Sequence, residues 1–447
     1  MSNAASDHSD YSDGVFSPDP DGCSRHHSMT APPPFQPDPA GPVVVIGAGP
    51  AGLMAAERLS AAGLAVEVHE RMPSPARKFL MAGRGGLNLT HSEPLSRFPA
   101  RYGDRASQVM DWLGRFDPQG LRDWADGLGA GTFIGSSGRV FPWAMKASPL
   151  LRAWLQRLRD QGVSLHTGSR WTGFEAGQPV FESEAGRRRV PARAVIVATG
   201  GASWPRLGSD GQALDLLAGQ GIAARPFLPA NVGTVVAWSP DFAARHAGQP
   251  LKAIAVTVGD RTVRGEAMVT RGGLEGGAVY ALGPDLRRAL GRAGRATLHI
   301  DLRPSETVES LAARLARVPS SQSRANRLRR AARLRPVEAG LLREAPPLPP
   351  DADDLTLARR LKAIPLTITG LQGLERAISS AGGIDPAALT PALMVEGHPG
   401  LFVAGELLDW EAPTGGYLLQ AVMASGVVAA DGVLGWIAGA TNAREAP

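Results

Sequence analysis

An α/β fold built around a parallel sheet is predicted by three stretches of this chain: Val43 to Ser60, Val190 to Gly201 and Gly400 to Gln420. Each reads as a short apolar strand ending in glycines. In the first, VVVIGAGPAGLMAAERLS, the β-branched run Val43 to Ile46 suits a buried parallel strand, and Gly47, Gly49 and Gly52 open a helix beginning near Ala51. That spacing is a dinucleotide fingerprint. Gly47 permits the tight turn, Gly49 lets the backbone approach a pyrophosphate, and Gly52 lets the helix pack on the strand while its positive end faces the phosphates. A second strand, Leu64 to His69, carries Glu70 at its end, near the distance expected for an acid that binds a free ribose 2′-hydroxyl.

The 447 residues exceed one core of about 250–300 residues, so two or more domains are expected. The sole cysteine is Cys23, which excludes a disulfide framework, a thiolate metal site and a CxxC redox pair and points to a reducing, cytoplasmic setting. Residues 1–40 are rich in Ser, Asp, His and Pro, lack the basic start and apolar core of a signal peptide, and read as a disordered tail. No apolar run of about 18 residues is evident, so no membrane partner is expected. A net charge of +5, carried more by Arg than Lys, favours anionic partners without naming one.

Along the chain, Arg77 to Thr90 is a glycine-rich loop with a basic start, and residues 105 to 130 have helical spacing, with Trp112, Leu113, Phe116, Leu121, Trp124 and Leu128 as core candidates. A turn at Gly138 to Ser148 leads to a helix through about 160. Short strands follow at Val163 to His166 and Val190 to Ala198. From about 229 the pattern becomes β-rich, with strands at Gly233 to Trp238, Leu251 to Val258, Ala267 to Thr270 and Ala296 to Ile300, and then helical over 304 to 344. After the proline break at Pro346 to Pro350 and further helix, Leu401 to Ala404 restores the first style. The predicted organisation is a cofactor domain in two parts, 41–228 and 375–440, with an insertion at 229–374.

Glycine motifs at three strand ends, Gly47, Thr199-Gly200-Gly201 and Gly405-Glu406 with Gly415-Gly416, suggest FAD, whose length needs distant parts of the chain to hold it. The combination GAGPAGLMAAERL, GRGGLNLT at 83–90, GRVFPW at 138–143, ATGGASWPRLGSDG at 198–211 and GLFVAGELLDWEAPTGGYLLQ at 400–420 resembles the bacterial BaiN-like, or aminoacetone-oxidase-like, flavoproteins over nearly all of residues 41–440. The resemblance implies a two-dinucleotide-binding-domain flavoprotein: a Rossmann-like FAD domain with an inserted β-barrel-like and helical domain. By that resemblance Gly47, Gly49, Gly52 and Glu70 hold the ADP half, with Pro50, Ala51, Arg71 and Lys78 beside them and Thr199, Gly200 and Gly201 nearby. Gly405, Glu406, Gly415 and Gly416 approach the flavin end, and Tyr417 and Leu418 open a helix whose N-terminus stabilises negative charge there. Gly85, Asn88 and Thr90 complete the cofactor candidates.

Family members commonly read GGRCNLT where this chain has Arg84 to Thr90, so the Arg and Cys of that pattern correspond to Gly86 and Leu87. A cysteine proton donor is therefore not carried over, and the chain reads as a divergent member. The acid/base group is unassigned, with His91 and Lys146 as candidates. Histidine spacing shows no HxH, HxxxH or HExxH, so no metal is expected. The run Arg314, Arg317, Arg324, Arg327, Arg329, Arg330, Arg333, Arg335 and Arg343 is the clearest anion-binding candidate. The resulting expectation is an FAD-dependent oxidoreductase passing hydride from NAD(P)H through flavin N5 to an unidentified small molecule. The alternatives are reduction of a uridine in ribosomal RNA, which the resemblance implies for the wider family, and a non-catalytic flavin protein that contacts RNA or the ribosome.

Overall fold

From the strand Val43–Ile46, buried at all four residues, the chain turns through Gly47 into the helix Pro50–Ala61 and returns as the strand Val66–Glu70. The structure, a computed structural model, describes residues 34–445. These strands belong to a five-stranded sheet ordered Leu401–Val403, Ala194–Val197, Val43–Ile46, Val66–Glu70, Ser164–Thr167, with every neighbouring pair parallel. Register places Ile46 beside Val197 and His69, and Val197 beside Val403. The residues that follow, Gly47, Ala198 and Ala404, and the last residue Glu70 therefore emerge along one edge, where open parallel sheets bind ligands.

The helix Tyr417–Glu445 packs against Pro50–Ala61 and the sheet. Its stretch Tyr417–Ala440 contains an 18-residue window of mean hydropathy 1.6 and is long enough by length and composition to cross a membrane, which corrects the expectation that no such run exists. Yet 67% of that window is buried inside the fold. Its small residues allow this closeness: a methyl added at Gly426 would stand 2.3 Å from the carbonyl oxygen of Ala51.

An antiparallel sheet makes a second core, ordered Gly273–Glu275, Arg261–Thr270, Pro250–Val258, Ala296–Asp301, Ile364–Ile368. The helices Val308–Ala316, Arg324–Ala332, Pro336–Glu344 and Asp354–Lys362 bring leucines such as Leu311, Leu328, Leu341 and Leu357 to it. The strands Ala224–Ala230 and Ser379–Ile384, paired antiparallel, carry the chain out of the first core and back.

Three local readings change. The helix expected over 105–130 is two, Ala106–Leu113 and Pro118–Asp126, because Pro118 lacks an amide hydrogen and Asp117 caps the second by accepting from Gly120 N at 2.7 Å. The strand expected at Gly233 to Trp238 shrinks to Thr234–Val235, while Ala267 to Thr270 extends back to Arg261. The region read only as helix after Pro350 also holds Ile364–Ile368 and Ser379–Ile384, whose pairing is long-range. Of the expected disordered tail, residues 1–33 lie outside the described residues. Residues 34–40 are tied down instead: Phe35 is buried against Phe174, and the amides of Gln36 and Asp38 donate to Gly177 and Ala192.

Candidate active site

The sheet edge forms a cavity lined by Gly47, Gly49, Pro50, Ala51, Glu70, Lys78, Thr199, Gly200, Gly405 and Glu406, ten residues singled out from sequence and drawn from five separate segments. Gly47 has φ +103°, and a methyl there would meet the Ala198 carbonyl oxygen at 2.5 Å. A methyl on Gly52 would lie 2.0 Å from the Gly47 oxygen, so Gly52 serves helix packing behind the cavity wall. Beside Gly49 there is open space. The helix starting at Pro50 has no side-chain cap, which leaves its first-turn amides for an anionic ligand.

Glu70 is held at both oxygens, Oε2 accepting from Ala48 N at 3.0 Å and Oε1 from Met72 N at 2.8 Å. Burial pushes its carboxyl above the ordinary carboxylate range despite these amides. Lys78 Nζ donates to Glu406 Oε2 at 2.7 Å and to Ser203 Oγ at 2.5 Å, joining the glycine-rich loop to the last glycine motif across the cavity. Glu406 Oε1 and Thr199 Oγ1 are buried with no partner of their own.

A second group of candidates meets off the cavity wall. Gly416, at φ +99°, lies so close to Thr90 that a methyl would stand 2.4 Å from its carbonyl carbon. Asn88 Oδ1 and Thr90 Oγ1 are buried and unpartnered there. Gly415 precedes the helix that begins at Tyr417, while Leu418 packs into the core. Gly85 closes a short 3-10 turn, and Leu87 is buried where the family pattern has its cysteine. The open backbone beside Gly49, the four orphaned oxygens and the doubly held Glu70 fit a long, polar, phosphate-bearing cofactor such as FAD.

Several candidates sit elsewhere. Arg71 pairs with Asp210 and does not line the cavity. Gly201 is packed under Ser380, and its carbonyl accepts from Ser209 Oγ at 2.8 Å. His91 is occupied at both nitrogens: Nδ1 faces the Glu93 amide at 3.0 Å and Nε2 the Ser137 carbonyl at 3.1 Å, leaving no free lone pair for proton abstraction. Lys146 is exposed, just before the helix Ala147–Asp160, and is not at the cavity. Tyr417 turns its hydroxyl to Glu93 Oε1 at 2.7 Å and stacks on His91. The two guanidinium hydrogen bonds from Arg101 hold Glu93 below the usual carboxylate range, and burial raises the Tyr417 hydroxyl.

Sequence reasoning missed Ala76, Arg77, Phe79, Leu207, Gly208, Ser209 and Val422 in the cavity wall. Ala76 adopts φ +53°, a strained conformation for alanine, and starts the short helix that presents Arg77 and Lys78. The basic pair was a visible signal; the backbone strain was not.

A family model described as HI0933-like protein Rossmann domain matches residues 41–432. The chain is 27% identical over 403 residues to a 3-dehydro-bile acid delta(4,6)-reductase of Clostridium scindens, covering 86% of this chain and 97% of that protein. A 3-ketosteroid delta1-dehydrogenase from Sterolibacterium denitrificans is similar in fold, with a TM-score of 0.50 at 12% identity over 88% of this chain and 99% of that one. The open conformation of a flavocytochrome c3 fumarate reductase aligns with a TM-score of 0.44 at 15% identity, over 90% and 79%. With the whole parallel sheet and its glycine edge inside the matched span, the chain belongs to the HI0933-like family of Rossmann-domain flavoproteins and is an FAD-dependent oxidoreductase.

Proposed function

We infer that this oxidoreductase takes hydride from NAD(P)H and reduces a carbon–carbon double bond conjugated to a carbonyl group. The likeness to a bile acid delta(4,6)-reductase along 97% of that protein carries the reading. When bound, FAD supplies hydride transfer at N5. Gly47, Gly49 and the amides of the helix Pro50–Ala61 would hold its pyrophosphate, Glu70 its ribose, and Thr199, Glu406 and Lys78 its central portion. Lys78, drawn in by Glu406 and Ser203, keeps a fixed positive charge at the cavity wall. Leu87 supplies no proton, so the donor must be another group or water.

A second reading, reduction of a uridine in RNA, involves the same kind of double bond and is favoured by exposed Arg317, Arg329, Arg330, Arg333 and Arg343. An anaerobic absorption titration with NADPH and then NADH tests the shared step. Bleaching of the flavin band is expected; a band that persists with both donors overturns the nicotinamide link. Reoxidation of the reduced protein by a steroid enone or by ribosomal RNA then separates the two acceptors.

A further inference from the structure

On the face of the parallel sheet reached by alternate residues of Val66–Glu70, away from Glu70, three side chains converge that the cofactor cavity does not use. Period-two alternation sets Glu67 and His69 on one face, and parallel pairing sets His69 opposite His166 of the edge strand. The two imidazole rings stack with centroids 4.7 Å apart and planes 20° apart. Glu67 Oε2 lies 3.4 Å from Nε2 of His69 and 3.4 Å from Nε2 of His166. All three ligating atoms lie within 4.8 Å of one another.

Neither Nε2 atom has a hydrogen-bond partner, although both are shielded from solvent. A separation of 3.4 Å is too long for a charge-assisted hydrogen bond. It matches the spacing of about 3.4 Å between ligands placed 2.0–2.1 Å from a shared ion in a tetrahedral site. The rest of His69 is fixed: Ser169 Oγ meets Nδ1 at 2.8 Å, and Phe181 stacks on the ring at 3.8 Å.

We propose that Glu67, His69 and His166 bind one divalent transition cation of the zinc class, with Ser169 orienting His69 and a water completing the shell. Two imidazoles and one carboxylate select such an ion over magnesium or calcium, which prefer all-oxygen sites. The Arg188 guanidinium, 3.4 Å from the same Glu67 oxygen, is the competing cation, and its side chain is 59% exposed and free to turn into water. The bound ion would tie the second strand to the edge strand. The absence of a sequence signature follows from the geometry, because the histidines are 97 residues apart and meet only through strand pairing.

The test uses the full chain, treated with chelator and titrated with zinc chloride by calorimetry and thermal melting. His8, His26 and His27 near the N-terminus can also take up zinc, so the readout is the difference between wild type and variants. His166→Phe keeps an aromatic ring against His69 and is expected to lose one equivalent of bound zinc and the accompanying rise in Tm. Glu67→Gln is expected to do the same without altering the ring stack, and Ser169→Ala to weaken this binding about tenfold. Unchanged stoichiometry and Tm shift in both His166→Phe and Glu67→Gln, or an equal Tm rise with magnesium, would overturn the site.

Discussion

Glu70 shows how one residue's position converts burial into binding capacity. Its two oxygens each accept one backbone amide, which orders the carboxylate while leaving a lone pair on each for a ribose hydroxyl. Glu70→Ala is expected to weaken FAD retention by about 1.5–3 kcal/mol, the worth of hydrogen bonds to a charged group. Heat release and chromatography of the flavin from equal amounts of wild type and variant measure this, and equal occupancy removes the ribose role. Lys78 is a different case, because it neutralises Glu406, whose side chain is only 10% exposed. Lys78→Met leaves that carboxylate without its cation, so lower flavin content together with a lower Tm is expected, and Lys78→Arg should recover part of both. At this scale the sequence singled out Glu70, Lys78 and Glu406, and all three line the cavity. It had no means of pairing Lys78 with Glu406 over 328 residues, since that distance is bridged only by the sheet.

Among the elements, the turn before the last helix is the most constrained. Gly416 combines φ +99° with a Thr90 backbone 2.4 Å from any added methyl, so Gly416→Ala strains the backbone and parts two segments at once. A loss of about 1–3 kcal/mol in denaturant unfolding is expected, and a loss below about 0.5 kcal/mol would show that the Thr90 loop is free to shift. The helix Pro336–Glu344 depends on a buried charge instead. Burial pushes the Glu338 carboxyl up, but Arg303, the Arg335 amide and the Arg335 guanidinium together hold it below its ordinary range. A carboxyl depressed on folding contributes stability above its unfolded pKa of 4.5 and loses it as the pH falls through the lower folded value. Glu338→Gln is expected to cost about 3 kcal/mol at neutral pH and to flatten the fall in stability below pH 4.5; equally steep acid unfolding in both proteins would contradict this. The capping pair was within reach of the sequence, Arg335 and Glu338 being three apart, whereas Arg303 reaches Glu338 from the end of a strand.

At the scale of the molecule, the arginine run divides into ties and exposed charges. Arg314, Arg327 and Arg335 pair with Glu306, Asp354 and Glu338, and Arg324 donates to the carbonyls of Pro349 and Pro350. Arg329 and Arg330 face solvent. If RNA is the acceptor, the double variant Arg329→Glu/Arg330→Glu should reduce the slope of log affinity against log salt by roughly two in filter binding to ribosomal RNA. An unchanged slope would exclude that helix as a phosphate contact. By itself the sequence determined the strand, glycine turn and helix at Val43 to Ala61, the acid at Glu70, the later glycine motifs and through them the flavoprotein class, because each rests on neighbours in the chain whose backbone requirements are local. Tertiary structure alone decided that five separated segments share one cavity, that His91 is spent on the Glu93 amide and Ser137 carbonyl, that an apolar helix of spanning length lies buried against Pro50–Ala61, and that His69 faces His166. Those outcomes depend on which strands pair and which faces pack, and such contacts join residues far apart in the chain that leave no periodic trace along it.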